Sequence, residues 1–319
     1  MGKIIGIDIS KQVFDVSFLE GNLWKHKVLS NNLLCFETLM TFIEKEDTVV
    51  MEASGTYYLP LAEYLHSQGI NVVVENPLSI KRYAQSRLKR AKTDKADSKV
   101  IAEYGNKNLG ELSLWNPESK TCIRIRQMHT RIQMIQKQTS QTYNQLEAFR
   151  SSGFLDEKLE IEMNNSIEQL RLGKEMLESE IEKLALEEFE QTIECLTSIP
   201  GIGMKTAIML IVITDNFKKF EHHKQLIAFV GFSPRIYESG SSVRGRSSIC
   251  KMGKSQIRKL LYLCSWSAKR WNKKCKEMYE RLIKNGKAER VAKIALANKL
   301  LKQAFAIGKN KEKYREDFC

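Results

Sequence analysis

The sequence feature that most constrains the fold is a pair of short apolar runs near the N-terminus, each of which ends in a carboxylate. Asp8 ends the run KIIGID, and Glu52 ends the run TVVME. Short runs rich in Ile and Val are typical of buried strands. Acids at the carboxyl ends of two such strands predict a polar site at one edge of a sheet.

A third acidic segment, KTDKAD over residues 92–97, opens an amphipathic run. Asp94 and Asp97 are three residues apart, so a helix places both carboxylates on one face. Acids in a first turn gain only about a few tenths of a kcal/mol, so a cation is expected to balance their repulsion. An ordinary acidic turn is the alternative. With Asp8 and Glu52, the pair forms a set of oxygen ligands that suits Mg²⁺, with Mn²⁺ as a substitute.

The order of strand-like and helix-like runs predicts a mixed sheet. Strand patterns lie at 3–8, 13–18, 24–29, 48–52 and 71–75. Helical patterns lie at 33–44 and 58–67 and resume beyond Pro77. The order βββαβαβα predicts a hairpin-built start and a parallel continuation, flanked by helices. It resembles the order in ribonuclease H-like nucleases, whose active site lies where neighbouring strand ends meet a later helix.

The basic charge of the chain is concentrated at its C-terminal end. The net charge is +13, and residues 241–319 contain 22 Lys and Arg against 6 Asp and Glu. This surplus predicts a polyanionic partner, most often nucleic acid. No membrane is expected, because no apolar run approaches the roughly 20 residues of a span and no signal peptide opens the chain. The 7 cysteines form no CxxC pair, which indicates reduced thiols in a cytoplasmic protein.

Between residues 117 and 185 the apolar residues recur at alternating spacings of three and four, in two segments separated by a break at 151–153. They are Ile125, Met128, Ile132, Ile135, Leu146 and Phe149, and then Ile167, Leu170, Leu177, Ile181 and Leu184. Two such helices form an antiparallel hairpin within the chain or an intermolecular coiled coil. A dimerising arm is favoured because neither stripe has another obvious surface to bury it.

The segment LTSIPGIGMKTA, residues 196–207, indicates a helix-hairpin-helix. Its glycines let backbone N–H groups and the N-terminus of the second helix approach a phosphate. Gly201 and Gly203 are the expected donors, and Lys205 adds charge. A tight helical turn without a ligand is the alternative.

Residues 232–254 lack apolar periodicity and are rich in Ser, Gly and Arg. A loop of this length in a compact domain is usually functional or disordered. Its candidate nucleophiles are Ser239, Ser241 and Ser242. Its candidate phosphate ligands are Arg235, Arg244, Arg246 and Lys251. These groups predict a phosphate clamp with a serine nucleophile, or a phosphate-gripping loop without chemistry.

Further basic residues stand on either side of these motifs. Lys89, Arg90 and Lys92 precede the aspartate pair and either hold a nucleic-acid backbone near the metals or form a solvated basic turn. Residues 255–271 and 288–307 predict basic amphipathic helices. Trp266 and Trp271 are expected in the core of this region and not as platforms for base stacking.

Taken together, these motifs resemble one family along nearly the whole chain. They are IGID (5–8), MEASGTY (51–57), KTDKAD (92–97), SIPGIG (198–203) and SPRIYESGSSVRG (233–245), followed by KMG and a basic helix. The chain resembles the DEDD-type transposases of bacterial insertion sequences, which are related to the pilin gene invertase and described as bridge-RNA-guided serine recombinases.

The resemblance implies a site and a set of partners. It implies a RuvC-like domain whose Mg²⁺-binding acidic quartet is Asp8, Glu52, Asp94 and Asp97. It implies that Ser239 attacks a DNA phosphate and forms a covalent phosphoserine link. It further implies an element-encoded noncoding bridge RNA that pairs with target and donor DNA, and a dimer that becomes a tetramer. The implied location is the nucleoid of a bacterial cytoplasm.

We therefore expect an α/β plus all-α protein of three regions. These are a RuvC-like catalytic domain at 1–112, a coiled-coil dimerisation arm at 113–190 and a helical transposase domain at 191–319. No histidine lies near Ser239, so metal and arginines are expected to activate it, at a site completed between protomers. The alternatives are a hydrolytic, metal-dependent nuclease of the Holliday-junction resolvase type and a noncatalytic scaffold.

Overall fold

The chain folds into two compact units, Met1–Pro117 and Glu118–Cys319. The computed structural model describes residues 2–53, 55–87, 93–235, 238–239, 243–244, 248–250 and 252–316. The first unit contains a mixed sheet with helices, and helices predominate in the second, which confirms the predicted combination of an α/β and a helical part. The division into three functional regions stays a prediction.

A mixed sheet forms the centre of the α/β unit. Its described strands are β1 (Ile4–Ile9), β2 (Val13–Glu20), β3 (Leu23–Ser30), β4 (Thr48–Glu52) and β5 (Asn71–Glu75). They lie in the order β3-β2-β1-β4-β5. The β1–β2 and β2–β3 pairs are antiparallel, whereas the β1–β4 and β4–β5 pairs are parallel. The predicted hairpin start and parallel continuation are confirmed.

The helices of the α/β unit follow the predicted order. They are α1 (Leu33–Met40), α2 (Leu59–Ser67), α3 (Pro77–Ser86) and α4 (Asp94–Asn108), followed by a 3₁₀ turn at Leu109–Glu111. Helix α1 ends before the predicted limit of Glu44, because the chain turns at Thr41 and the buried carboxylate of Asp47 accepts hydrogen bonds from the backbone N–H groups of Lys3 and Glu44.

Helix α4 packs unusually close to the central strand β1. A methyl group at Gly6 of β1 would lie 2.3 Å from both the Ala102 nitrogen and the Ser98 oxygen of the α4 backbone. At Gly105 of α4, a methyl group would lie 2.7 Å from the Ile4 side chain. The hydroxyls of Ser98 and Ser17 lie 2.8 Å apart and join α4 to β2. Two glycines therefore allow the helix backbone to lie directly against the sheet.

The second unit is built on long helices. Its described helices are α5 (Lys120–Ser152), α6 (Glu157–Thr197), α7 (Met204–Thr214), α8 (His223–Val230), α9 (Ser255–Trp271), α10 (Lys273–Lys284) and α11 (Glu289–Asn310). Every residue of α7 from Thr206 to Thr214 is buried, as expected for a helix that is apolar on all sides and lies at the centre of a unit. Among the described residues, no helix has both the length and the apolar content that a bilayer span requires.

Helices α5 and α6 form an antiparallel hairpin. Arg124 lies 4.0 Å from Glu180 and Arg150 donates a 2.8 Å hydrogen bond to Glu160, so residues late in α5 face residues early in α6. The predicted stripes are buried or half-buried in this single chain. Their burial therefore does not require a second chain. A dimerising arm is favoured from the sequence because the stripes have no other obvious surface to bury them, and this hairpin supplies one. An intermolecular coiled coil stays a prediction.

The described part of the predicted loop at residues 232–254, here called the serine segment, contains two short strand pairs. Strand β6 (Pro234–Arg235) pairs with β9 (Ser248–Ile249), and β7 (Glu238–Ser239) pairs with β8 (Val243–Arg244), both antiparallel. The sequence shows no apolar alternation here because both ladders are only two residues long. Ser239 lies opposite Val243, at the end of its described strand.

Replacing Gly6 by Ala is expected to destabilise the α/β unit by about 3 kcal/mol, because the added methyl group meets helix backbone that has no rotamer to change. Hydrogen exchange of the β1 amides measures this effect within the unit. Gly110→Ala is the matched control, since no atom lies within 4 Å of the added carbon. Equal protection in both variants would contradict the close packing of α4 on β1.

Candidate metal centre

Asp8 and Glu52 lie side by side at the carboxyl ends of two parallel strands. The register of β1 and β4 pairs Ile7 with Met51, so the two acids each follow the last described pair by one residue. Both side chains are partly exposed. The sequence-based prediction of two carboxylates at one sheet edge agrees with this register.

The first turn of α4 brings the aspartate pair to the same edge. Thr93 is the N-cap of α4, and its hydroxyl accepts a 3.2 Å hydrogen bond from the Ala96 amide. This cap begins the helix immediately before Asp94 and places Asp94 and Asp97 in the first turn. Carboxylates are favoured there by the positive end of the helix dipole.

Carboxylate oxygens of Asp8, Asp94 and Asp97 all lie within 4.8 Å of one another. Oxygen ligands lie about 2.0–2.6 Å from Mg²⁺ or Ca²⁺, so ligands of one ion are separated by up to about 5 Å. The spacing and the hard oxygen donors therefore fit a single divalent cation. Asp8 and Asp97 are half-buried and Asp94 is exposed, which leaves room for solvent or substrate as further ligands.

The electrostatics of the cluster also fit a cation site. The pKa of Asp8 is raised to about 6, first by burial of the carboxyl group and then by the negative charges of Asp97, Glu52, Asp94 and Asp15. Glu52 therefore acts on Asp8 electrostatically, although the three-residue cluster does not include it. A bound cation would favour the ionised form of Asp8 and oppose this shift.

Asp15 is a neighbour of the cluster that no sequence motif had indicated, and His26 is its partner. Asp15 lies directly opposite Asp8 in the β1–β2 ladder, and its carboxylate lies 2.7 Å from Nε2 of His26 on β3. Asp15 is almost fully buried. The alternation in VFDVSF, which places Asp15 and Ser17 on the same face of β2, is the signal that would have found it.

The remaining predicted ligands of nucleic acid are placed only in part. Lys89, Arg90, Lys92, Arg246 and Lys251 lie outside the described residues. Arg235, Ser239 and Arg244 belong to the short strands of the serine segment, where the structure describes their backbones only.

The predicted phosphate site between α6 and α7 has a mixed outcome. Gly201 has φ of +107°, and a methyl group there would lie 2.8 Å from Cβ of Ala268 on α9, so this glycine has a packing role. Gly203 is exposed, faces open space and is the N-cap of α7. Lys205 is also exposed, but its ammonium group lies 2.9 Å from the Glu178 carboxylate. Phosphate binding here stays a prediction.

The fold and the cluster define a class: an α/β unit with an acidic cluster that fits a divalent cation, joined to a basic helical unit. Residues 5–154, which include the four acids, match a transposase model of the DEDD type found in IS110. Residues 193–280, which include the serine segment, match the model described as "Transposase IS116/IS110/IS902 family".

Whole-length relatives agree with both matches. The pilin gene-inverting protein of Moraxella bovis is 30% identical over 317 residues, covering 95% of this chain and 94% of the relative. The transposase of insertion sequence element IS1111A from Coxiella burnetii is 24% identical over 344 residues, covering 98% and 91%. The chain belongs to the IS116/IS110/IS902 family of transposases. It is therefore assigned to the enzymes that cut and join DNA, and DNA is its partner.

Among solved structures, T. thermophilus RuvC in complex with a Holliday junction substrate has a TM-score of 0.28 and 12% sequence identity. The likeness covers 36% of this chain and 100% of the RuvC chain, and it is too slight to define the fold of either unit.

Replacing Asp8 by Asn is expected to raise the stability of the metal-free protein at pH 7.5 by about 1–2 kcal/mol after solvent screening, because it removes a negative charge that burial and then the neighbouring acids disfavour. Since the folded pKa of Asp8 exceeds the unfolded value of about 4, metal-free wild type should lose stability as the pH rises from about 4 to about 6.

Thermal unfolding with and without Mg²⁺ or Mn²⁺ tests both statements. A divalent cation should stabilise the wild type and not the Asp8→Asn variant. Glu37→Gln on the exposed face of α1 is the control and should behave as wild type. A cation effect that survives Asp8→Asn would exclude this cluster as the binding site.

Proposed function

We propose that this transposase cuts and rejoins DNA through a covalent phosphoserine intermediate, with Ser239 as the nucleophile and a RuvC-like α/β unit as the metal-binding part. The observation that supports it most strongly is the convergence of the Asp8, Asp94 and Asp97 carboxylates within 4.8 Å. Hydrolytic and phosphoserine chemistry can both use such a site, because both must stabilise negative charge on a phosphate.

The acidic cluster would hold the metal through Asp8, Asp94 and Asp97, with Glu52 as a fourth acid at the adjacent strand end. Mg²⁺, with Mn²⁺ as a substitute, would neutralise charge on the scissile phosphate and lower the pKa of an attacking hydroxyl. The acids orient the cation from two strands and one helix, so their relative positions depend on packing and not on a flexible loop.

In the proposed reaction the Ser239 oxygen attacks the DNA phosphorus as its proton departs. A phosphorus–oxygen bond to one strand breaks, and the released deoxyribose oxygen takes up a proton. The phosphoserine link is itself a phosphodiester, so the free energy of the broken bond is conserved. A hydroxyl of a second DNA end can therefore attack the phosphorus, release Ser239 and join the two DNA ends. Arg244 lies in the same short strand pair as Ser239, and Arg235 lies in the separate β6–β9 pair. Both are the proposed cations for the developing charge.

A hydrolytic nuclease is the second candidate. The acidic cluster in the α/β unit is itself sufficient for attack by water, and Ser239 would then have no chemical role. The two candidates differ in the fate of the phosphate, since hydrolysis leaves no protein–DNA bond.

Ser239→Ala should abolish strand cleavage and the protein–DNA adduct that resists detergent, because the variant lacks the oxygen proposed to attack the phosphate. Denaturing gels of a labelled DNA substrate measure both products. Ser241→Ala and Ser242→Ala are matched controls in the same segment and should retain the adduct. Unchanged cleavage by Ser239→Ala would favour hydrolysis, whereas loss in Asp8→Asn alone would confirm only the metal site.

An oligomer and a guide RNA complete the proposal. Exposed apolar residues along the α5–α6 hairpin support a protein contact there, namely Met134, Tyr143, Ile161, Leu172 and Met176, which are 50–66% exposed. We propose that the dimer and tetramer form through this arm.

The proposal that the protein binds a bridge RNA rests on the family resemblance alone. The basic helices would be its electrostatic binding surface.

Purified protein from cells that carry its own element should contain a discrete small RNA, because a guide RNA binds through many phosphate contacts. Sequencing the co-purified nucleic acid measures this. A heterogeneous mixture of cellular RNA, equal to that from cells without the element's noncoding sequence, would contradict the guide and leave a recombinase that reads DNA itself.

A further inference from the structure

Two tryptophans that were expected in the core lie on the surface. Trp266 and Trp271 of α9 are 49% and 74% exposed. The core face of α9 is formed instead by Ile257, Leu261, Ser265 and Ala268. The prediction for both tryptophans was wrong, because this face of the helix is filled by smaller side chains. Exposed indole rings on a basic helix are available to a ligand.

Trp266 differs from Trp271 in its surroundings. The ammonium group of Lys293 on α11 lies 3.4 Å from the centre of the Trp266 ring, and the Lys293 side chain is only 4% exposed. The Lys269 ammonium lies 5.7 Å from the same ring. Burying a lysine is costly unless its charge is paired, so a cation held this deep against an indole needs an anionic partner beside it.

Three donors from three helices converge on one carboxylate oxygen beside this ring. Oε1 of Glu289, at the start of α11, lies 2.9 Å from Nζ of Lys293, 3.4 Å from Nζ of Lys269 and 3.1 Å from the Tyr279 hydroxyl of α10. Hydrogen bonds from Lys293, Tyr279 and Lys269 hold the pKa of Glu289 at about 2. Two ammonium groups and a hydroxyl around one anionic oxygen form the donor set that a phosphate oxygen uses.

Glu289 occupies this donor set from the solvent side, since its own side chain is 53% exposed while Lys293 is buried. Residues 255–310 contain 15 Lys and Arg but only three acids, which are Glu277, Glu280 and Glu289. The surface is therefore complementary in charge to a polyanion. One of its three acids, Glu289, is paired with Lys293, which is almost fully buried.

We propose that Trp266, Lys269, Lys293 and Tyr279 form a site for one unpaired nucleotide, in which the base stacks on Trp266 and the phosphate replaces the Glu289 carboxylate. In the free protein Glu289 is the internal counter-ion that keeps Lys293 buried and paired. The proposal rests on nucleic acid being the partner, as the proposed function states, and it assigns to that partner a site apart from the acidic cluster.

The geometry favours an unpaired nucleotide over a duplex. A base inside a duplex has both faces covered by its neighbours, so only an unstacked base can lie against an indole. A duplex would contact only the lysines, through its backbone phosphates, and none of its bases would stack on Trp266. DNA and RNA share the base and phosphate that this site contacts, so the probes include both.

Fluorescence anisotropy of labelled oligonucleotides with the full-length protein, without divalent metal, separates the two contacts. The probes are an oligothymidylate of about 12 nucleotides, the same chain with abasic sites in place of bases, an oligouridylate and a DNA duplex. Cleavage is not measured, so a failed nuclease mechanism would leave this result unaffected.

Trp266→Ala should weaken binding of the oligothymidylate and oligouridylate about ten-fold and leave the abasic probe and the duplex within two-fold, because only the stack is lost. Trp266→Phe keeps an aromatic ring and should retain most of the preference for bases. Trp271→Ala, an exposed tryptophan of the same helix, is the matched control and should change no affinity by more than two-fold.

Lys269→Gln should weaken all four probes, whereas Glu289→Gln should tighten all four several-fold, because it removes the anion that competes with phosphate. Glu277→Gln is the control, because it removes one negative charge from α10. It should increase the affinity by less than half as much as Glu289→Gln does. Thermal unfolding should show Glu289→Gln less stable alone and stabilised more strongly by the oligothymidylate than the wild type.

Three results would overturn the site. One is equal weakening of the abasic probe by Trp266→Ala, which would make its effect structural. Another is equal weakening by Trp266→Ala and Trp271→Ala, which would indicate a general basic surface. The third is that Glu289→Gln binds the oligonucleotides no more tightly than the wild type does. That result would show that Glu289 is a structural partner of Lys293 and does not compete with phosphate.

Discussion

The close approach of α4 to β1 is the constraint on which the candidate metal site depends. Gly6 and Gly105 remove the side chains that would separate helix and strand, and Val100 and Ile101 bury the helix face against the sheet. Apolar packing thereby holds the first turn of α4 beside the end of β1. Like charges are brought together as a consequence, and the pKa of Asp8 is raised by burial of its carboxyl group and then by these neighbouring charges.

The helical unit holds the opposite charge in a comparable way. Its basic helices α9, α10 and α11 keep one lysine, Lys293, almost fully buried between an indole ring and the carboxylate of Glu289. In each unit a buried or half-buried charged group belongs to a cluster, and the proposed ligand of each cluster carries the opposite charge. A cation fits the acids of the α/β unit, and a phosphate fits the lysines of the helical unit.

This division of charge is consistent with the work of a transposase. In the proposed function the enzyme holds a polyanion and also binds metal beside one phosphate, and these tasks require surfaces of opposite charge. The two family matches separate in the same way, one covering the acids and the other covering the serine segment and half of the 22 Lys and Arg of residues 241–319. In the proposed reaction the metal-binding acids and the nucleophile therefore come from different units, each with its own packing.

The sequence by itself determined the strand order, the positions of the acids at strand ends and the cap that begins α4. These features are local, because periodicity, capping and β-branched runs act within a few residues. It did not reveal that Asp15 faces Asp8, that Ser239 lies in a short strand pair, or that Trp266 lies on the surface over a buried lysine. Those facts depend on which residues distant in sequence share one face, and only the packing of strands and helices in three dimensions decides that.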